Sequence, residues 1–456
     1  MSILKKSIPS MTEGPIFKNV ISYTIPIMLS TLLQLAFNAA DLIIVGRFCG
    51  AISLAAVGAT GSITNLLTMF FIGMATGSGV TVAQRLGARD DKTVHKLVHT
   101  AIPAAIIFGA LLTVVGIIFS GTFLRLMGTP ENVLPLSTIY MQIIFGGMIF
   151  SMLYNYAAAI LRAAGDSRTP LTALTIAGVV NVVLNVIFVT VLNMNVAGVA
   201  LATIISQAVS ALLVTKALML RTDACRLMLR SMKIYFHELS LIAKIGLPAG
   251  IQSSLFGISN VLIQSSVNSF GDVFMSGNAA AGNIEGFVYA FGGAFYQTAM
   301  NFIGQNEGAK QYKRMYKILA VCCGCAASIG LTIGILAVAF DEQLVSIYIT
   351  DSPEAVYWGT VRLLYMCIPY FVGALMDIST GALRGIGESM VPMIISIICV
   401  CGFRILWIST IFSMPQFHTP QVLYLSYAIS WTLTFAIQGS VFLIKLRKKC
   451  KTAEAC

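Results

Sequence analysis

Long apolar runs follow one another from about residue 19 to residue 446, and no stretch between them is long enough for a large soluble domain. A bilayer core takes roughly 20 apolar residues per helix. Reading the runs between charged or Gly/Pro-rich breaks predicts twelve spans, at about 19–46, 53–79, 97–120, 136–160, 170–192, 196–219, 241–268, 278–303, 317–340, 357–382, 391–412 and 423–445. Only 10% of residues are charged, against about 25% in soluble proteins. A soluble enzyme, a secreted disulfide scaffold and a disordered chain are excluded. The formal net charge of +11 belongs to loops rather than to a nucleic-acid-binding domain.

The basic residues test the count of spans. Twelve spans put both termini on one side. That side then receives Lys5, Lys6 and Lys18, the clusters Arg85–Lys96, Arg162–Arg168, Lys216–Lys244, Lys310–Lys317 and Lys445–Lys451, and Arg384: 25 of the 29 Lys and Arg. Arg47, Arg125, Arg362 and Arg404 are left for the opposite side. The basic side is cytoplasmic by the positive-inside rule. A missed or extra helix would invert half the loops and destroy this asymmetry. The expected location is the inner (plasma) membrane, multi-pass, with both termini in the cytoplasm.

The segment Met1–Pro15 is polar and lacks the apolar core and cleavage site of a signal peptide. The ten cysteines form no framework. Cys322, Cys323 and Cys325 lie in one apolar run without His, and Cys367, Cys399 and Cys401 lie in others, where Cys acts as a small hydrophobe. No metal site is expected.

Two loops match. Leu161-Arg162-Ala163-Ala164-Gly165-Asp166-Ser167-Arg168-Thr169-Pro170 and Leu383-Arg384-Gly385-Ile386-Gly387-Glu388-Ser389-Met390-Val391-Pro392 both read L-R-x-x-G-acid-S-x-x-P. Pro26 and Pro248 share their offset. Gln84–Ala88 pairs with Gln305–Ala309, and Thr129-Pro130-Glu131 with Ser352-Pro353-Glu354. A colinear set of this kind marks a duplication. Residues 1–220 are expected to form an N-lobe with helices 1–6, 221–240 a basic cytoplasmic linker, and 241–456 a C-lobe with helices 7–12. Six is even, so the halves are parallel, an architecture of transporters with the substrate between the halves. In the repeated loop, Gly permits a tight turn, Pro opens the next helix, and the Arg is expected to cap the preceding helix.

Polar residues inside the spans carry the functional reading. Asp41 lies in span 1, and a mid-membrane Asp costs about 2.5–3.5 kcal/mol on insertion scales. Gln34, Asn38 and Asp41 fall on one helical face. A single carboxylate beside amides suits reversible binding of H⁺ or Na⁺. The alternative is an Asp near the outer end, satisfied by water. Asn181 and Asn185 in span 5, Asn155 in span 4 and Thr203 in span 6 add neutral oxygens, which hard cations accept. Interhelical hydrogen bonding is their other reading. In the second half, Gln252, Asn260, Gln264 and Asn268 follow one drifting face of span 7, and position 263, the counterpart of Asp41, is Ile. Glu285 and Asp377 are the other acids within apolar runs. Glu285 is expected in the wet outer part, and Asp377 two turns before Arg384. Gln34, Asn38, Gln252, Asn260, Gln264, Glu285 and Asp377 are taken as candidate substrate-cleft residues. The 21 Met, 26 Phe and 15 Tyr offer adaptable and aromatic surface. No nucleotide loop or catalytic constellation is present, so the chain is read as no enzyme and as not driven by ATP.

The motifs Asn38–Gly46 (N-A-A-D-L-I-I-V-G), Gln84–Ala88, Gln305–Ala309 and the two L-R-x-x-G-acid-S loops together resemble the multidrug and toxic-compound extrusion (MATE) family, bacterial DinF/NorM-like type, over nearly the whole chain. The resemblance implies an all-α membrane protein of twelve helices in two six-helix lobes. It implies alternating access, and Na⁺- or H⁺-coupled efflux of diverse, often cationic, drugs and xenobiotics without a cofactor. It matches Asp41 to the coupling carboxylate, Asn181, Asn185 and Thr203 to its polar partners, and Asn155 to a place nearby. Many relatives have Asp at the position of Asn185. The NorM-like subgroup has a Glu in helix 7, absent between Gln252 and Asn260, and Asp377 is about one turn from that subgroup's helix-10 acid. An N-lobe mechanism, as in the DinF-like subgroup, is therefore favoured.

The expected function is an antiporter that exports organic cations for H⁺ or Na⁺, acting as a monomer in the bilayer and binding no nucleic acid. A lipid-linked oligosaccharide flippase of the same superfamily would need a cationic cleft, and almost all Arg and Lys are expected at loops. A membrane sensor or scaffold would need a signalling domain, and a membrane enzyme a nucleophile or metal cluster.

Overall fold

The computed structural model describes residues 11–349 and 351–454, and within them it is helical, with no strand. Lys5 and Lys6 lie outside the described residues. The first half contains α1 (Ile16–Phe48), α2 (Ala51–Gly87), α3 (Asp91–Leu126), α4 (Leu134–Gly146 continued by Met148–Ala163), α5 (Arg168–Val186) and α6 (Asn195–Met219). The second contains α7 (Phe236–Asn268), α8 (Asp272–Gly308), α9 (Tyr312–Ala339), α10 (Pro353–Cys367 continued by Tyr370–Gly385), α11 (Met390–Phe412) and α12 (Pro420–Glu454). The passages α4 and α10 bend by 45° and 43°, at matching places in the two halves. A π-wide turn (Ile187–Val191) continues α5, and another (Ile408–Phe412) ends α11.

Each predicted span falls on one helix or one bent helix pair and overruns it by no more than one residue. Among the described residues, nine helices are long and apolar enough to cross a membrane, and the two bent pairs make eleven. The remaining passage, α8, has 37 residues. Its polar side chains Asn278, Glu285, Asn301 and Asn306 are buried against protein rather than turned to lipid.

Two compact units divide the chain, and their limits fall inside helices. One unit holds 29–250, the other 251–454 together with 11–28. The limits come two residues after Pro26 in α1 and two residues after Pro248 in α7, the same position in the repeat. Proline removes an intrahelical hydrogen bond, so each of these helices changes unit where its own ladder is weakest.

The crossings this exchange creates are built differently. Within the first unit α2 and α7 meet glycine to glycine. A Cβ on Gly77 would overlap the Ile242 carbonyl and lie 2.7 Å from Gly246 N, and one on Gly246 would lie 2.8 Å from Met74 Cα. Within the second unit α1 and α8 use the corresponding positions, but Thr24 and Thr298 share a hydrogen bond of 2.8 Å. Tyr23 accepts from Asn301 Nδ2 at 2.9 Å beside it.

The repeated loops turn on Gly165 and Gly387, at φ +90° and +87°. Asp166 accepts from the amides of Arg168 and Thr169 at 3.1 and 3.0 Å, opening α5. Arg384 does not cap α10. It is 5% exposed, and donates to Tyr296 Oη and to Gln252 Oε1. Arg362 and Arg404 sit inside α10 and α11 of the second unit, as the spans 357–382 and 391–412 place them, with Arg404 buried and Arg362 half-buried.

Candidate cation-coupling site

Three helices of the first unit bring Asp41 to its partners. The α1 segment Ile44–Val45 packs with Val189 and Val199, and Tyr140 of α4 closes this cluster. That apolar floor sets the α1 face, one turn before it, against α5 and α6. Asn185 Nδ2 then donates to Asp41 Oδ1 at 2.5 Å and to Asn181 Oδ1 at 3.3 Å. Asn181 Nδ2 reaches Thr203 Oγ1 at 3.5 Å, and Thr203 donates to Val199 O. The result is a chain of neutral donors ending on one carboxylate.

One atom in this chain is unsatisfied. Asn185 is fully buried, and its Oδ1 has no donor among the described residues. An unmet buried acceptor costs about 1–3 kcal/mol. A cation, or a carboxyl that has gained a proton, would supply what this oxygen lacks once the amide rotates.

Other expected members lie elsewhere. Asn155 spends its amide on Ser151 O at 2.8 Å and does not enter the chain. Gln34 and Asn38 are exposed and bond to no described side chain. Tyr140 was not anticipated: it is an aromatic in an apolar run, with no periodic signal to separate it from packing, yet its hydroxyl is in electrostatic reach of Asp41.

The second unit's candidates are mostly engaged. Gln252 bridges Arg384 to Ser396 Oγ, which also accepts from Gln438. Glu285 is not wet. It is 4% exposed and holds Arg362 through two hydrogen bonds of 2.6 and 2.8 Å. Asn278 accepts from both Arg362 and Tyr424. Asp377 meets the Tyr289 hydroxyl and lines a small cavity with Gly292, Gly330 and Tyr370. Asn260 is exposed, and Gln264 donates to Asn268 on the same helix.

The MatE family profile matches residues 26–187 and again 248–408. The chain belongs to the MatE family. The two matches begin at Pro26 and Pro248, as the internal repeat requires. The probable multidrug resistance protein YoeA of Bacillus subtilis is 28% identical over 408 residues, 88% of this chain and 87% of that protein. YpnP of the same organism, also described as a probable multidrug resistance protein, is 30% identical over 392 residues, covering 85% and 86%. A solved MOP-superfamily transporter from Pyrococcus furiosus superposes with a TM-score of 0.91 at 20% identity, over 97% of this chain and 99% of that one. This MatE protein is therefore a multi-pass membrane transporter of the multidrug-efflux type, with the fold of its family, and its relatives are transporters rather than enzymes. Arg362 and Arg404 each interrupt an apolar run, a signal visible in the sequence.

Proposed function

We propose that the protein is an antiporter that exports organic cations and takes one H⁺ inward per cycle on Asp41. The observation that carries this reading is the composition of the first unit's site: one carboxylate, with Asn185, Asn181 and Thr203 as neutral partners. A proton needs only one carboxylate, whereas Na⁺ must exchange its hydration shell for ligand oxygens. In the ionised state Asp41 accepts from Asn185. Protonation removes that demand, turns the carboxyl into a donor, and releases α5 and α6 from α1. Alternating access follows if the substrate-loaded state requires the ionised carboxylate. The 25-of-29 bias of Lys and Arg supports a cytoplasmic placement of both termini in the inner membrane.

The test is Asp41→Asn. Active efflux of an organic cation from proteoliposomes should be lost, with the protein still inserted and monodisperse. Wild-type efflux rates in this variant would overturn the assignment. Efflux that requires Na⁺ and ignores a collapsed pH gradient would overturn the choice of ion.

A further inference from the structure

We infer that the second half of the chain carries an anion-binding site at Arg404, suited to planar aromatic carboxylates or phosphate esters. This goes beyond cation export, which rests on Asp41 in the other unit.

Arg404 lies within the apolar passage α11, roughly 12 Å from its Phe412 end at helical rise. It is 4% exposed. A guanidinium at such depth costs several kcal/mol and is normally paired with a carboxylate. Arg362, on the neighbouring α10, is paired in that way with Glu285. Arg404 has no carboxylate within ion-pair distance among the described residues. Its Nε donates to Ser430 Oγ at 3.1 Å, and its guanidinium carbon lies 3.9 Å from the Tyr427 ring centre. Ser430 donates onward to the Tyr427 carbonyl, so Ser430 is the acceptor for Nε. No described residue accepts from the two Nη amines. One positive charge in this unit is thus held in place by an aromatic face and a hydroxyl, and neutralised by neither.

The repeat gives this position a meaning. The family matches end at Ile187 and Ile408, and the π-wide turns Ile187–Val191 and Ile408–Phe412 stand at the same offset. In the first half the passages α1, α5 and α6 contribute Asp41, Asn185 and Thr203. Their counterparts α7, α11 and α12 contribute Ile263 in place of Asp41, Arg404 within a turn of the Asn185 position, and Tyr424 in place of Thr203. The helices that hold a carboxylate and amides in one unit therefore carry no acid in the other, and one of them carries a guanidinium instead.

The surroundings choose among anions. A guanidinium presents a fork that matches carboxylate and phosphate oxygens. Beside it, Trp431 lies 5.7 Å from Tyr427 and 5.1 Å from Tyr370, ring centre to ring centre. Tyr427 and Tyr370 are only half-buried, so the ring platform is open on one side. A flat ring bearing an acid satisfies both features, and a small inorganic anion satisfies only one.

The chain has three tryptophans, Trp358, Trp407 and Trp431, and all belong to the apolar cluster around this site. Intrinsic fluorescence of the purified full-length protein therefore reports on it directly. The probes are 4-nitrobenzoate and 4-nitrophenyl phosphate, with 4-nitrobenzyltrimethylammonium as the matched cation. Both anions should quench saturably and the cation only in proportion to concentration. Arg404→Gln should weaken the anions by about tenfold or more, the loss expected for a charge-assisted hydrogen bond, and Arg404→Lys should recover part. If Arg404→Gln does not fold, Tyr427→Leu keeps the charge and removes the stacking face, and should weaken the aromatic anions severalfold. Absence of saturable anion quenching in the wild type, equal anion affinity in a folded Arg404→Gln, or a cation that saturates as tightly as the anions would each overturn the inference. Binding is read without an ion gradient, so this failure is distinct from a failure of coupling at Asp41.

Discussion

At the scale of single residues, neutrality at position 185 is the feature with most consequence. Asn185→Asp would place a second carboxylate against Asp41, where Asn185 Nδ2 now donates. Like charges at that distance repel unless a cation sits between them. The variant should therefore gain Na⁺ dependence, read as efflux that rises severalfold with Na⁺ at fixed pH while the wild type is indifferent. A second residue, outside the membrane, makes a pH prediction. Asp223, in the linker after α6, receives Arg221 Nε at 2.9 and 3.0 Å and the Cys225 amide at 3.1 Å. Partial burial pushes its carboxyl up, but the bonds and charge of Arg221 outweigh this and hold it below the ordinary range. A depressed carboxyl stabilises the folded linker above its ordinary value near 3.9, and that contribution is lost as pH falls through the depressed one. Protection of the amides around Cys225, their exchange taken relative to the intrinsic rate at each pH, should accordingly be high at neutral pH and fall below about pH 4. Asp223→Asn should show the lower protection already at pH 7. Asp41, Asn181, Asn185 and Thr203 were legible in the sequence because a carboxylate and amides at helical spacing stand out in apolar runs. The surroundings of Arg404 are not legible there, because counting basic residues by side cannot show a guanidinium lying on a tyrosine ring.

At the scale of elements, the duplication was legible from loops and prolines, and the exchange between units was not. A contiguous N-lobe and C-lobe follow from sequence order, while 11–28 and 241–250 pack in the unit of the opposite half. The reason is a pairing the sequence does not name, although both its faces are marked there: Gly73 and Gly77 lie at GxxxG spacing on α2, as do Gly246 and Gly250 on α7, and the two backbones touch there. Small residues allow such close helix packing in a membrane. Gly77→Ala would place a methyl group against backbone atoms, which cannot rotate away. It should destabilise the protein by about 1–3 kcal/mol, as overpacking does. Thr298→Ala, at the corresponding crossing of α1 and α8, removes only a hydrogen bond and should cost about 0.6 kcal/mol. Thermal unfolding in detergent should therefore rank Gly77→Ala well below Thr298→Ala. The reverse order would show that the α2–α7 crossing has room to relax.

At the scale of the whole molecule, the charge carried per cycle follows from counting carboxylates in the first unit's site. Among the described residues Asp41 is matched by no second acid there, so under the proposed coupling one proton would enter for each monovalent organic cation that leaves. Such an exchange moves no net charge. A membrane potential, worth about 2.3 kcal/mol per elementary charge per 100 mV, then does no work on it. The pH gradient alone drives it, and each pH unit supports about a tenfold substrate gradient, or 1.4 kcal/mol. In proteoliposomes with the potential clamped by K⁺ and valinomycin, efflux of a monovalent cation should track the imposed pH gradient and stay flat as the potential is varied from 0 to about −100 mV. A divalent cation exchanged for the same single proton would carry one net positive charge outward. Its efflux should slow as the inside becomes more negative. Potential-driven efflux of the monovalent substrate would mean that a second inward charge is carried, and would direct attention to Asp377 beside Tyr289 in the second unit.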